Sequence, residues 1–183
     1  MSGKPKWPAS GNQIQVQVTK PAAMSLALKA MRSERALNDL IKAFADKDQE
    51  TARLAAWAMA YISDQKPEIL NPHKKKILEA TLRSGLHPGV RRGGLRVFES
   101  GEIPSALEGK VFDFAVRTLE DASETIASRA YAITILAKIF PRYPETGGEL
   151  KSLLERILPG AGAAISYRGK KLIREINRAA EKG

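Results

Sequence analysis

One segment recurs along the chain at nearly constant spacing, and that recurrence restricts the fold more than any other property of the sequence. It is clearest at Gly89-Val90-Arg91-Arg92-Gly93-Gly94-Leu95-Arg96-Val97-Phe98. Counterparts lie at Thr51-Ala52-Arg53-Leu54-Ala55-Ala56-Trp57, at Ile126-Ala127-Ser128-Arg129-Ala130-Tyr131-Ala132 and, more degenerate, at Ala164-Ile165-Ser166-Tyr167-Arg168-Gly169. With Ala52, Val90, Ala127 and Ile165 as equivalent positions, the intervals are 38, 37 and 38 residues. A period in that range means a solenoid of helical pairs, each burying one face against its neighbours.

Apolar stripes of helical period lie between the recurrent segments. Leu37, Leu40, Ile41 and Phe44 fall at i, i+3, i+4 and i+7, which predicts the outer helix of the first pair. Ile77, Leu78 and Leu82 predict the second outer helix. Val111, Phe112, Ala115, Val116 and Leu119 predict the third, and Leu150, Leu153, Leu154 and Ile157 the fourth. Carried along at the offsets of the recurrent segments, Leu40, Leu78, Ala115 and Leu153 form one apolar column, and Phe44, Leu82, Leu119 and Ile157 another. The inner helices are then Ala52 to Ile62, a central one around Val90 to Phe98, a third burying Ala132, Ile135, Leu136 and Ile139, and a last with Ile165, Leu172, Ile173 and Ile176. Trp57 is the bulkiest expected core residue of the first inner helix, so its replacement by Ala is expected to cost about 3–5 kcal/mol.

Residues 1–22 are expected to form a flexible basic N-terminal arm and residues 23–183 the repeat domain. The arm has Gly, Pro, Ser and Lys but no helical period. Gln13 to Thr19 alternates polar and apolar like a strand, with no second alternating segment to pair with. A short lead-in helix is expected from Met24 to about Arg32.

Composition narrows the chemistry. The 183 residues include no cysteine, which excludes a disulfide framework, a thiolate metal site and a cysteine nucleophile, and fits a reducing cytoplasm. No apolar run suits a signal peptide or a membrane span, so a soluble cytoplasmic protein is expected. His73 and His87, the two histidines, flank one predicted helix about 20 Å apart, which suits neither a zinc site nor a shared general base. No cofactor, metal or catalytic residue is expected. His87-Pro88-Gly89 is expected to be a turn in which His87 caps the preceding helix. Lys74-Lys75-Lys76 opens a helix against its macrodipole and is expected to be a solvated face. Gly93-Gly94 costs about 1 kcal/mol per glycine inside a helix; small residues at the equivalent Ala55-Ala56 and Ala130 point to close helix packing.

Ala52 to Ala58, Pro67-Glu68-Ile69-Leu70, His87 with Arg91-Arg92 and Leu95-Arg96, Ala127 to Thr134 and Tyr143-Pro144-Glu145, taken in that order, resemble the small HEAT-like (armadillo-related) repeat proteins of the Bacteroidetes type. The resemblance spans roughly residues 35–178. It implies an all-α fold, a short right-handed α-solenoid of about four HEAT-like helix pairs, with no established activity. Arg53 and Arg91 are similar to the Arg that opens the inner helix of a HEAT repeat, while Ser128 and Ser166 depart from that pattern. Such proteins often carry the label adenylosuccinate lyase. Those lyases have a loop of the type Ser-Ser-x-Met-Pro-x-Lys-x-Asn, and no segment here matches it.

The net charge of +10 sits largely at the ends: residues 1–32 hold Lys4, Lys6, Lys20, Lys29 and Arg32 with no acid. Arg91, Arg92, Arg96, Arg129, Arg168, Lys170 and Lys171 all fall on predicted inner helices and are the candidate binding residues. They either align into a basic inner stripe or pair with Glu99, Asp121, Glu124 and carboxylates of neighbouring repeats. The function expected is a non-catalytic scaffold holding a protein partner on its inner face. Sequence-independent binding of nucleic acid by the stripe and the basic termini is the alternative.

Overall fold

The computed structural model describes residues 17–181. Within them lie α1 (Lys20–Ala30), α2 (Glu34–Phe44), α3 (Gln49–Gln65), α4 (Lys74–Thr81), α5 (Pro88–Ser100), α6 (Glu108–Glu120), α7 (Ile126–Ile139), α8 (Gly147–Ile157) and α9 (Ala163–Ala180), and no strand among the described residues. Helix starts are encoded as caps. Thr19, Ser33, Asp48 and Thr125 each accept a hydrogen bond from the backbone N–H three residues on, satisfying a donor that the first turns of α1, α2, α3 and α7 would leave orphaned. With Thr19 as its cap and Pro21 in its first turn, α1 begins ahead of the expected Met24. Of the alternating segment only Gln17 to Thr19 is described; Gln13 to Val16, like the rest of the expected arm up to that point, lie outside the described residues.

Helices α1, α3, α5, α7 and α9 pack side by side as one layer, and α2, α4, α6 and α8 cover α3, α5, α7 and α9 in turn. The architecture is a short α-solenoid of four pairs, with α1 added as a fifth inner helix at its start. Its apolar core runs without interruption from Ala23 to Ile176. Phe44, Phe98, Leu40, Ile62 and Leu119 are among the side chains wholly withdrawn from solvent, each worth about 1.5–3 kcal/mol.

Burial fixes the repeat register and corrects the one drawn from sequence. A step of 39 residues, not 38, carries the buried Val90, Gly93, Gly94, Leu95, Val97 and Phe98 of α5 back onto Thr51, Leu54, Ala55, Ala56, Ala58 and Met59 of α3, all buried. The outer helices step by 37: Leu37, Leu40, Ile41, Ala43 and Phe44 of α2 map onto Lys74, Ile77, Leu78, Ala80 and Thr81 of α4, again all buried. The difference is absorbed in the turn between outer and inner helix, which is two residues longer in the second pair. There Gly85 takes a φ of +69° and its carbonyl accepts a 3.0 Å hydrogen bond from Gln49 Nε2.

Four expectations change in the structure. Trp57 is not a core residue: it is 44% exposed, flanked by the buried Ala56 and Ala58. Leu82 falls one residue past the end of α4 and is exposed. Lys74 occupies the core position of Leu37 and is buried, so only Lys75 and Lys76 of the lysine run face solvent. In α6 it is Phe114, not Phe112, that is buried. His87 does sit in the turn before α5, but it caps that following helix, its Nδ1 accepting from Gly89 N at 3.0 Å.

Candidate functional site

Once the register is corrected, Arg53 and Trp57 of α3 stand at the positions of Arg92 and Arg96 of α5. All four line one groove on the exposed side of the inner layer, about 650 Å³ in volume, together with Asp64, His87, Tyr131 and Arg168. Val18, just before α1, also reaches its wall, so the chain enters the solenoid beside this groove. Gly89 and Gly93 contribute backbone where the other positions contribute side chains.

The far wall is a fixed network. Arg96 donates from Nε to Asp64 at 3.0 Å and pairs with both Asp64 and Glu99. Arg168 Nη1 donates to Glu99 at 3.1 Å, to the Ala130 carbonyl at 3.1 Å and to Thr134 Oγ1 at 2.6 Å. Both guanidiniums lie over the Tyr131 ring, 5.3 and 5.8 Å from its centroid, within the range of a cation–π contact. Burial works against the charge of Arg96, but the hydrogen bond to Asp64 and the Glu99 carboxylate outweigh it and hold its pKa above the ordinary value. Glu99 thus joins α9 to α5 through Arg168, past the intervening α7.

The seven basic candidates divide. Arg92, Arg96 and Arg168 line the groove. Arg91 lines a smaller cleft with Thr81 and Phe114, where it pairs with the buried Glu124. Arg129 Nε donates to the Leu119 carbonyl at 3.0 Å, capping the end of α6. Lys170 and Lys171 are exposed on α9 away from the groove, Lys171 lying 3.9 Å from Glu175. Arg92 is exposed and makes no ion pair among the described residues. Trp57, Tyr131, Arg53, Asp64 and His87 belong to the groove and were not among the sequence candidates.

The HEAT repeat domain family matches residues 11–176. The chain belongs to that family. No curated protein and no solved structure matches it. HEAT repeats commonly mediate protein interactions and typically serve as non-catalytic scaffolds, and in this HEAT solenoid the groove lies on the face of the inner helices. Among the described residues no group of three or more His, Asp or Glu side chains is placed to hold a metal ion, and no helix is long and apolar enough to cross a membrane.

Proposed function

We propose that the protein is a non-catalytic scaffold and that the groove around Trp57 holds a protein partner. The observation that carries this reading is the large indole left 44% exposed in a groove, on a helix whose Leu54, Met59 and Ile62 are withdrawn into the core. Trp, Tyr and Arg are the residue types that dominate protein–protein hot spots, and the groove combines all three. Its wall is already organised: the Arg96–Tyr131–Arg168 stack and Glu99 fix those side chains before any partner arrives, which lowers the entropic cost of association.

Sequence-independent binding of nucleic acid draws less support. It needs a row of cations free to neutralise phosphates. Arg91, Arg96 and Arg168 instead spend their charge on Glu124, Asp64 and Glu99, and Arg129 is turned to a helix end.

Affinity capture from native lysate, with and without nuclease, tests the proposal when wild type and Trp57→Ala are run side by side. Proteins retained by wild type after nuclease treatment and lost with Trp57→Ala are expected. Capture that vanishes with nuclease, or that ignores Trp57, contradicts the reading.

A further inference from the structure

Resting on that reading, we infer that the groove takes an extended acidic segment of its partner, a carboxylate side chain seated on Arg92 and a neighbouring apolar or aromatic side chain on Trp57. The charge inventory of the wall is lopsided. Four arginines line it against a single carboxylate, Asp64. Asp64 pairs with Arg96 through Oδ1, and Glu50 and Glu99, which do not line the groove, pair with Arg53 and Arg168. Arg92 alone of the four has no carboxylate among the described residues. His87 adds a donor: its Nδ1 is occupied by the Gly89 N–H, which leaves Nε2 to carry the ring proton. A wall with donors to spare and its one carboxylate already paired favours a ligand that brings negative charge.

The number of uncommitted cations decides which kind of anion fits. Duplex nucleic acid presents a charge about every 1.7 Å along its axis and is held by many cations at once. One unpaired guanidinium beside one exposed indole matches a single carboxylate next to a bulky side chain, which is what a short acidic peptide presents. The protein's net charge of +10 favours encounter with acidic partners.

An array of immobilised twelve-residue peptides tests this directly. Each acidic peptide containing Trp, Phe or Leu is paired with a copy in which Asp and Glu become Asn and Gln, and with a copy in which the bulky residue becomes Ala. Single-stranded and duplex oligonucleotides of similar length are spotted alongside. The full chain is applied as wild type, Arg92→Gln, Trp57→Ala and, as a control outside the groove, Lys170→Gln. Wild type and Lys170→Gln are expected to prefer acidic peptides over their amide copies by about tenfold, one charge-assisted contact. Arg92→Gln is expected to erase that preference, and Trp57→Ala to erase the preference for the bulky residue. Equal binding of acidic and amide copies that still depends on Trp57 overturns the acidic ligand and leaves the scaffold standing. Binding of oligonucleotides alone overturns both, and retention of no peptide overturns the inference.

Discussion

A Cβ placed on Gly93 would stand 2.8 Å from the Cβ of Ala56 and 2.9 Å from its carbonyl oxygen, so α3 and α5 meet backbone to backbone at this point. A Cβ on Gly94 would lie 2.6 Å from Thr81 Cγ2, and Thr81 is itself held by a 2.7 Å hydrogen bond to the Ile77 carbonyl. Inside a free helix a Gly→Ala change stabilises by about 1 kcal/mol. Here overpacking reverses the sign, and Gly93→Ala and Gly94→Ala are each expected to lose about 1–3 kcal/mol in urea unfolding. A gain in either variant would mean that the helices are farther apart than described.

Glu99 engages both Arg96 and Arg168, and its side chain is only 12% exposed. Replacing it with Gln leaves Arg168 without a carboxylate and Arg96 with Asp64 alone, and is expected to cost about 1–3 kcal/mol. Arg168→Gln should cost less, and the double variant should fall short of the sum by about 1 kcal/mol or more. Additive losses in that cycle would show that the two residues do not share one network.

Lys74 sits where the preceding repeat has Leu37, withdrawn from solvent, and its ammonium finds no acceptor among the described residues. Burial pushes its pKa down to about 8; the nearby Lys138 ammonium acts in the same direction and Glu102 against it. Lys138, also pushed down by burial, is better provided for, donating to the carbonyls of Phe98, Glu99 and Gly101 at the end of α5. Between pH about 8 and about 10.5 the unfolded chain binds more protons at Lys74 than the folded one, so stability rises with pH across that window. Lys74→Met is expected to stabilise the protein at pH 7 by about 2 kcal/mol and to flatten the rise, leaving the share that belongs to Lys138. Urea midpoints at pH 7 and pH 9.5 measure both; loss of stability at pH 7 would contradict the account.

Much of this fold was legible because apolar period acts locally. Leu37, Leu40, Ile41 and Phe44 announced α2, and all four are buried. Ala132, Ile135, Leu136 and Ile139 announced the buried face of α7 equally well. The register was harder, because one offset was applied to outer and inner helices alike. Leu40 and Leu78 are both apolar, which agrees with that offset, but in the structure Leu40 corresponds to Ile77. The extra two residues between α4 and α5 left no apolar signature, and the slip placed Trp57 opposite the buried Leu95 instead of the groove residue Arg96. The groove was hidden for the same reason. Trp57 read as core and Tyr131 as part of a repeat signature, while basic side chains alone do not reveal which of them are already spoken for by carboxylates such as Glu99 and Glu124.

Placing Trp57 at the surface changes the stability expected of its truncation. Trp57→Ala should cost about 1 kcal/mol, well below the 3–5 kcal/mol of a buried indole, because much of the side chain is already in water. A cost of 3 kcal/mol or more in urea unfolding would return the residue to the core.

The most direct test of the central claim, that Trp57 is presented to a partner, is acrylamide quenching of its fluorescence. The chain has two tryptophans, so Trp7→Phe leaves Trp57 as the single reporter. In the free folded protein quenching should reach about half of that in urea-unfolded chain, in line with an indole 44% exposed, and should fall when a captured partner is added back. An indole that is shielded in the free protein, or whose quenching is unchanged by the bound partner, would contradict the account.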